Sequence, residues 1–187
     1  MMRRCDEFSN RLLLQISENE DECEILCYGL HQILIITVNL LSVLVCGILW
    51  DELLFSTFLF LCLFFLRPYA GGYHADTESR CYVISVGVMN LAMVGNKVLR
   101  IPTSAMILIY FIMVQVIWKN APVENNINPL TEAEKRKYSG KAKRIIIIYS
   151  VIAGSAVCAN NVLVYNVVFY GIAITAFSVL VGQYKYY

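Results

Sequence analysis

"RPYAGGYHADTESRC", residues Arg67 to Cys81, separates two apolar runs, "LLFSTFLFLCLFFL" before it and "YVISVGVMNLAMVG" after it. An arginine, two glycines, a histidine, further charges and a cysteine in that setting read as a polar connection between two membrane-crossing helices. The rest of the chain follows the same alternation. Of its 187 residues, 58% are hydrophobic and only 16% are charged, and the mean hydropathy is +0.61. Soluble domains carry about 45–50% apolar and about 25% charged residues, so a small water-facing globule cannot hold this surplus. Nearly all charges fall in the first 24 residues, in Arg67–Arg80 and in Lys119–Arg144. The pattern predicts one membrane-embedded, all-α polytopic domain over residues 1–187, with membrane lipid as its surroundings and no nucleic-acid partner.

The apolar segments run over Leu30–Leu49, Leu53–Leu66, Tyr82–Asn96, Thr103–Trp118, Ile145–Ala159 and Val162–Gly182. A helix needs about 20 residues to cross a hydrocarbon core of about 30 Å, so several of the six expected transmembrane helices are short or re-entrant. Residues 1–29 alternate charged and apolar positions, with Leu12, Leu13 and Ile16 on one side, which predicts an N-terminal amphipathic helix rather than a signal peptide. Lys and Arg set the orientation. With six spans and a cytosolic N-terminus, thirteen of them face the cytosol, including Arg67, Arg80, Lys119, Lys185 and the run from Lys135 to Arg144. Only Lys97 and Arg100 face outward. Both termini and the Arg67–Cys81 segment are therefore expected on the cytosolic side. The seven cysteines are odd in number, and Cys46, Cys62 and Cys158 lie in apolar runs, which argues for reduced thiols.

His74 and Cys81 are the pair that suggests chemistry. A thiolate attacks carbonyls, and a nearby imidazole can take the thiol proton and later pass it to a leaving amine. Arg67 or Arg80 would help hold a thiolate, since neighbouring positive charge lowers a thiol pKa below its usual ~8.5. Gly71 and Gly72 let backbone approach a substrate closely, and their N–H groups are candidate oxyanion donors. On a continuous helix, residues seven apart lie about 10.5 Å apart along the axis, whereas proton transfer needs about 3 Å. A working pair therefore requires a bend before Cys81, with Cys81 near the start of the next helix and Asp76, Thr77 or Ser79 as its cap. Asp76, Glu78 and Glu124 are all candidates to orient His74. Two ligands do not fill a zinc shell, and packing explains the Cys23, Cys27 and His31 face, so no metal and no cofactor are expected.

The motif "RPYAGGYHA" followed by Cys81 resembles the AgrB family, the membrane-embedded cysteine endopeptidases of bacterial quorum sensing. The likeness extends to six spans in a chain of this length and to "NAPVENNINPLTEAEKRK", Asn120–Lys137, before the basic continuation. The resemblance implies cleavage of a small AgrD precursor, with Cys81 as nucleophile and His74 as general base and acid. A thioester to Cys81 would then be displaced by a thiol or hydroxyl of the peptide, closing a thiolactone or lactone ring. Arg67 and Gly72 fall at motif positions important to that site, and Ser85, one turn beyond Cys81, is a weaker supporting candidate. The family likeness also implies a homodimer. The basic segment 119–144 is read as a cytosolic loop in which Lys135, Arg136, Lys137, Lys141, Lys143 and Arg144 meet either the acidic precursor tail or anionic lipid. Two rival classes stand beside this reading: a small transporter, and a membrane adaptor for which Cys81 and His74 are dispensable.

Overall fold

The computed structural model describes residues 20–73, 75–99, 101–124 and 130–186. Among these the chain forms six helices and no strand: α1 (Glu20–Leu49), α2 (Leu53–Ala70), α3 (Glu78–Val98), α4 (Thr103–Asn120), α5 (Glu132–Cys158) and α6 (Val162–Tyr186). Five are long and apolar enough to cross a membrane: α1 through Gly29–Leu49, and α2, α3, α4 and α6 over their full lengths. The chain is thus an all-α polytopic membrane protein. Of the amphipathic segment expected over residues 1–29, residues 1–19 lie outside the described residues, and the rest continues directly into α1.

α5 departs from the expected short span. It is one helix of 27 residues whose first half carries "EKRKYSGKAKR" and whose second half is apolar. From Ile145 to Cys158 that apolar half covers about 21 Å at 1.5 Å per residue, short of the ~30 Å core. The basic segment read as a loop is therefore mostly helical from Glu132 onward. Its start is chemically specified. Thr131 Oγ1 accepts from the Glu134 N–H and the Glu134 carboxylate accepts from the Thr131 N–H, a reciprocal capping box. Those bonds, first the one from the Thr131 backbone, hold the Glu134 carboxyl below its ordinary range. Aromatic contacts then dock this half: Lys141 lies over the Tyr69 ring of α2, and Lys143 over the Trp118 ring of α4.

Within α1 the chain parts into two units, Met1–Ser42 and Val43–Tyr187. The second is organised around α6, which packs against α2, α4 and α5. In its most apolar stretch 56% of α6 is buried, against 33% for α2 and 17% for α3 and α4, which makes α6 the central helix. Val168, Ile172, Ala176 and Val179 of α6 join Leu66, Ala70, Ile117, Val123 and Ile146 in one buried cluster. A helix apolar all round suits such a central position.

At the other end of α2 from Arg67, the turn Trp50–Glu52 is tied to α3 and α6 by polar groups. Both Glu52 carboxylate oxygens accept from Asn96 Nδ2, at 3.1 and 3.0 Å, and Asn96 Oδ1 accepts from Asn166 Nδ2 at 2.7 Å. Asn96→Ala removes the shared partner and leaves a half-buried carboxylate unpaired. A loss of about 1–3 kcal/mol is expected, read as an earlier unfolding midpoint in a denaturant titration of the detergent-solubilised protein. An unchanged midpoint would show that water replaces Asn96 there.

Candidate active site

The Arg67–Cys81 segment is less of an interruption than its composition suggests, because both flanking helices reach into it. α2 takes Arg67–Ala70 and α3 takes Glu78–Cys81, so that of the described residues in the segment only 71–73 and 75–77 lie outside helix. Pro68, in the last turn of α2, cannot donate to the helix ladder, and two glycines then reverse the chain. Gly71 has φ 68° and Gly72 φ 126°, both on the positive side that glycine tolerates best. The Gly71 N–H closes α2 by donating to Arg67 O at 3.0 Å. That proton is therefore engaged within α2 in this structure.

Beyond Gly72 the segment lies against α6. The Tyr73 N–H donates to Ser178 O at 2.9 Å and to Ser178 Oγ at 3.1 Å. Arg67 Nη2 donates to Tyr73 O at 3.0 Å and to Ser178 Oγ at 2.7 Å. Arg67 and Ser178 thus grip both sides of the Tyr73 peptide. Further along, Asp76 accepts from Lys185 Nζ at 2.6 Å, and the same ammonium lies 4.9 Å from the centre of the Tyr73 ring. Donation from Lys185 holds the exposed Asp76 carboxyl below its ordinary range. The tie is therefore present at neutral pH, and on the acid side it is lost as Asp76 is protonated.

Thr77 caps α3, its hydroxyl accepting from the Arg80 N–H at 3.3 Å, and Cys81 sits in the first turn with its N–H on Thr77 O at 3.0 Å. The bend before Cys81 and the helix start close to it match the shape the sequence required. Cys81 is a free, half-buried thiol within electrostatic range of the Arg67 guanidinium. Ser85 is half-buried one turn along α3, and Arg80 is exposed. His74 lies outside the described residues, as do the side chains of Cys23 and Cys27. Of the three carboxylates considered for His74, Asp76 is engaged by Lys185 and Glu124 by Lys135, at 2.6 and 2.5 Å.

The second sequence stretch singled out above meets the first. The Val123 N–H donates to Ala70 O at 3.1 Å, and Val123 pairs with Gly71 in a parallel bridge. Next to it, Lys135, Arg136 and Lys143 line a cavity of about 460 Å³ together with Ala121 and Pro122. Glu124 and Glu132 both ion-pair with Lys135. Of the other expected cations, Lys141 lies over Tyr69, while Lys137 and Arg144 are exposed away from the cavity lining. Sequence reading missed Ser178 and Gly182. The available signal was a serine and a glycine one turn apart in an otherwise apolar helix, a small-residue pattern that permits close backbone approach.

Compared with known proteins, residues 5–179 match the family model described as accessory gene regulator B, AgrB. An AgrB-like protein of Clostridium perfringens (strain SM101 / Type A) is 23% identical over 152 residues, covering 77% of this chain and 71% of that protein. AgrB-like protein 2 of Clostridium perfringens (strain 13 / Type A) is 21% identical over 146 residues, covering 74% and 68%. No solved structure matches the chain.

Proposed function

The chain belongs to the AgrB family, whose role is accessory gene regulator peptide processing, and from that premise we propose that it is a cysteine endopeptidase and cyclase acting through Cys81. Its substrate is an AgrD-like precursor with an acidic C-terminal tail. Cys81 Sγ, deprotonated by His74, attacks the carbonyl carbon where the signal sequence meets the tail. The tail amine leaves with the proton from His74, and the peptide remains on Cys81 as a thioester. A thiol or hydroxyl within the peptide then attacks that carbonyl, closing the ring and returning the Cys81 thiol. A thioester and a thiolactone are close in energy, so the exchange needs no ATP, and a site flanked by membrane helices limits competing hydrolysis.

The observation that carries this reading is the position of Cys81 in the first turn of α3, which starts only after the positive-φ glycines Gly71 and Gly72 have turned the chain out of α2. A straight helix would hold positions 74 and 81 apart; the reversal removes that bar. In this proposal the motif, both termini and the basic half of α5 face the cytosol of a bacterial cell. The amphipathic leader of the precursor and anionic lipid headgroups share that leaflet. The cavity lined by Lys135, Arg136 and Lys143 takes carboxylates of the tail, and two copies of the chain work as a homodimer.

The decisive experiment uses a precursor whose ring-closing residue is replaced by alanine. The thioester then has no internal nucleophile to displace it. Intact-protein mass spectrometry is expected to find a hydroxylamine-labile adduct on Cys81, heavier by the leader plus signal sequence, with free tail in equal amount. Tail released with no adduct on Cys81, even at early times, would overturn the thioester route.

A further inference from the structure

Beyond Gly72, the described contacts between the Arg67–Cys81 segment and α6 fall on one stripe of that helix. Ser178, Gly182 and Lys185 fall at i, i+4 and i+7, which is a single helical face. Ser178 takes the Arg67 guanidinium and the Tyr73 N–H on one hydroxyl oxygen, while its backbone carbonyl takes the Tyr73 N–H as well. Gly182 supplies the space: a Cβ there would lie 2.7 Å from Gly72 C and 2.8 Å from Tyr73 N. Lys185 closes the far end on Asp76 and over the Tyr73 ring. None of these three touches Cys81 in any described contact, yet Tyr73 is the residue immediately before His74.

We infer that Ser178 is a positioning residue of the reaction, with Gly182 as its steric counterpart: this face of α6 fixes the Tyr73 peptide, the last described unit of backbone before the base of the peptidase reading. The inference rests on the peptidase reading and adds to it a source of alignment from a helix remote in sequence. Arg67 then acts through the peptide it grips together with Ser178, in addition to its charge near Cys81. A serine deep in an apolar, buried helix has a physical reason to be there, since its hydroxyl oxygen accepts from both Arg67 and Tyr73.

The test uses the full-length protein in lipid nanodiscs with a synthetic acidic-tailed precursor. Ser178→Ala, Gly182→Ala and a control, Ser155→Ala, are compared for kcat, KM and backbone hydrogen exchange. Ser155 is exposed on α5 and bonds only its own helix in the described contacts. Misplacing a reacting group by about 1 Å costs on the order of 100-fold. Ser178→Ala and Gly182→Ala are therefore each expected to lower kcat about 10- to 100-fold with KM within about twofold. Amide exchange should accelerate in residues 71–77 alone. Gly182→Ala is informative even if Ser178→Ala fails to fold, because alanine favours helix over glycine and any loss must come from the displaced segment.

Wild-type kcat in both variants would overturn the inference. So would exchange that rises equally across α2 and α4, which marks a general packing role. If the wild-type protein fails to process the precursor, the peptidase reading falls by itself. The exchange arm then still decides whether this face of α6 holds the segment: unchanged exchange at residues 71–77 in both variants overturns it.

Discussion

Cys81→Ala is expected to reduce tail release below detection, a loss of at least about 10³-fold, because removing the nucleophile of a covalent mechanism removes the whole route rather than one contribution. His74→Ala should cost about 10²–10⁴-fold, the usual range for a general acid–base group. Among the described residues the free thiols are Cys46, Cys62, Cys81 and Cys158, and their surroundings separate them. Cys62 is buried in α2 and its carbonyl takes the Tyr149 hydroxyl. Cys46 Sγ faces Asn90 near the Trp50 turn, and Cys158 closes α5 at the end away from its basic half. Cys81 alone among these four shares an end of the bundle with Arg67 and the glycine reversal. Cys46→Ala and Cys158→Ala should accordingly process at close to the wild-type rate. The measurement is quantitative mass spectrometry of released tail in cells co-expressing precursor and variant. Processing that survives Cys81→Ala would return the polar segment to a headgroup anchor and the protein to a membrane adaptor.

What could be read from the sequence was whatever depends on local pattern. Apolar runs gave α1, α2, α3, α4 and α6 their places, and the sevenfold spacing of His74 and Cys81 demanded a bend that the Gly71, Gly72 and Thr77 backbone provides. α5 was less legible. Its apolar half was visible, but the charged half looked like a loop, because the tyrosine and tryptophan rings that dock its lysines belong to α2 and α4. Long-range contacts left no local trace at all. Nothing near Arg67 indicates that its hydrogen-bond partner is Ser178, 111 positions later. The meeting of Val123 with Gly71 is equally silent, since it is made by backbone atoms that every residue carries. The candidate site is thus half local and half tertiary: its candidate residues sit in one short motif, and the contacts that hold Arg67, Gly71 and Tyr73 come from α6 and the Ala121–Val123 connection.

Outside the proposed catalytic pair, Gly72→Ala should have the largest effect, and it separates alignment from stability. Gly72 has φ 126°, outside the range that L side chains adopt without strain, and such a residue costs about 1–3 kcal/mol. Space is also lacking. An added Cβ would lie 2.5 Å from Ser178 Oγ and 2.9 Å from Ser178 O. The hydroxyl could rotate away, but the carbonyl belongs to a helix that cannot retreat, because Ile172 and Val179 on α6 are fully buried in the core. The segment must therefore move instead, and it can do so without dismantling the bundle. Detaching Tyr73 from Ser178 loses hydrogen bonds worth about 0.5–1.5 kcal/mol each, while the core cluster of α2, α4, α5 and α6 stays packed. The expected outcome is a fall in precursor cleavage of about 100-fold or more, with the unfolding midpoint in detergent lowered only modestly. Alkylation of Cys81 should persist, since the thiol is on α3 and not on the displaced segment. A variant that cleaves within about threefold of wild type would mean that the close approach of Gly72 to α6 does not set the geometry of the reaction. Gly72→Ala combined with Ser178→Ala locates the fault. Relieving the collision at the hydroxyl leaves the one at the carbonyl, so the double variant should be no better than Gly72→Ala alone.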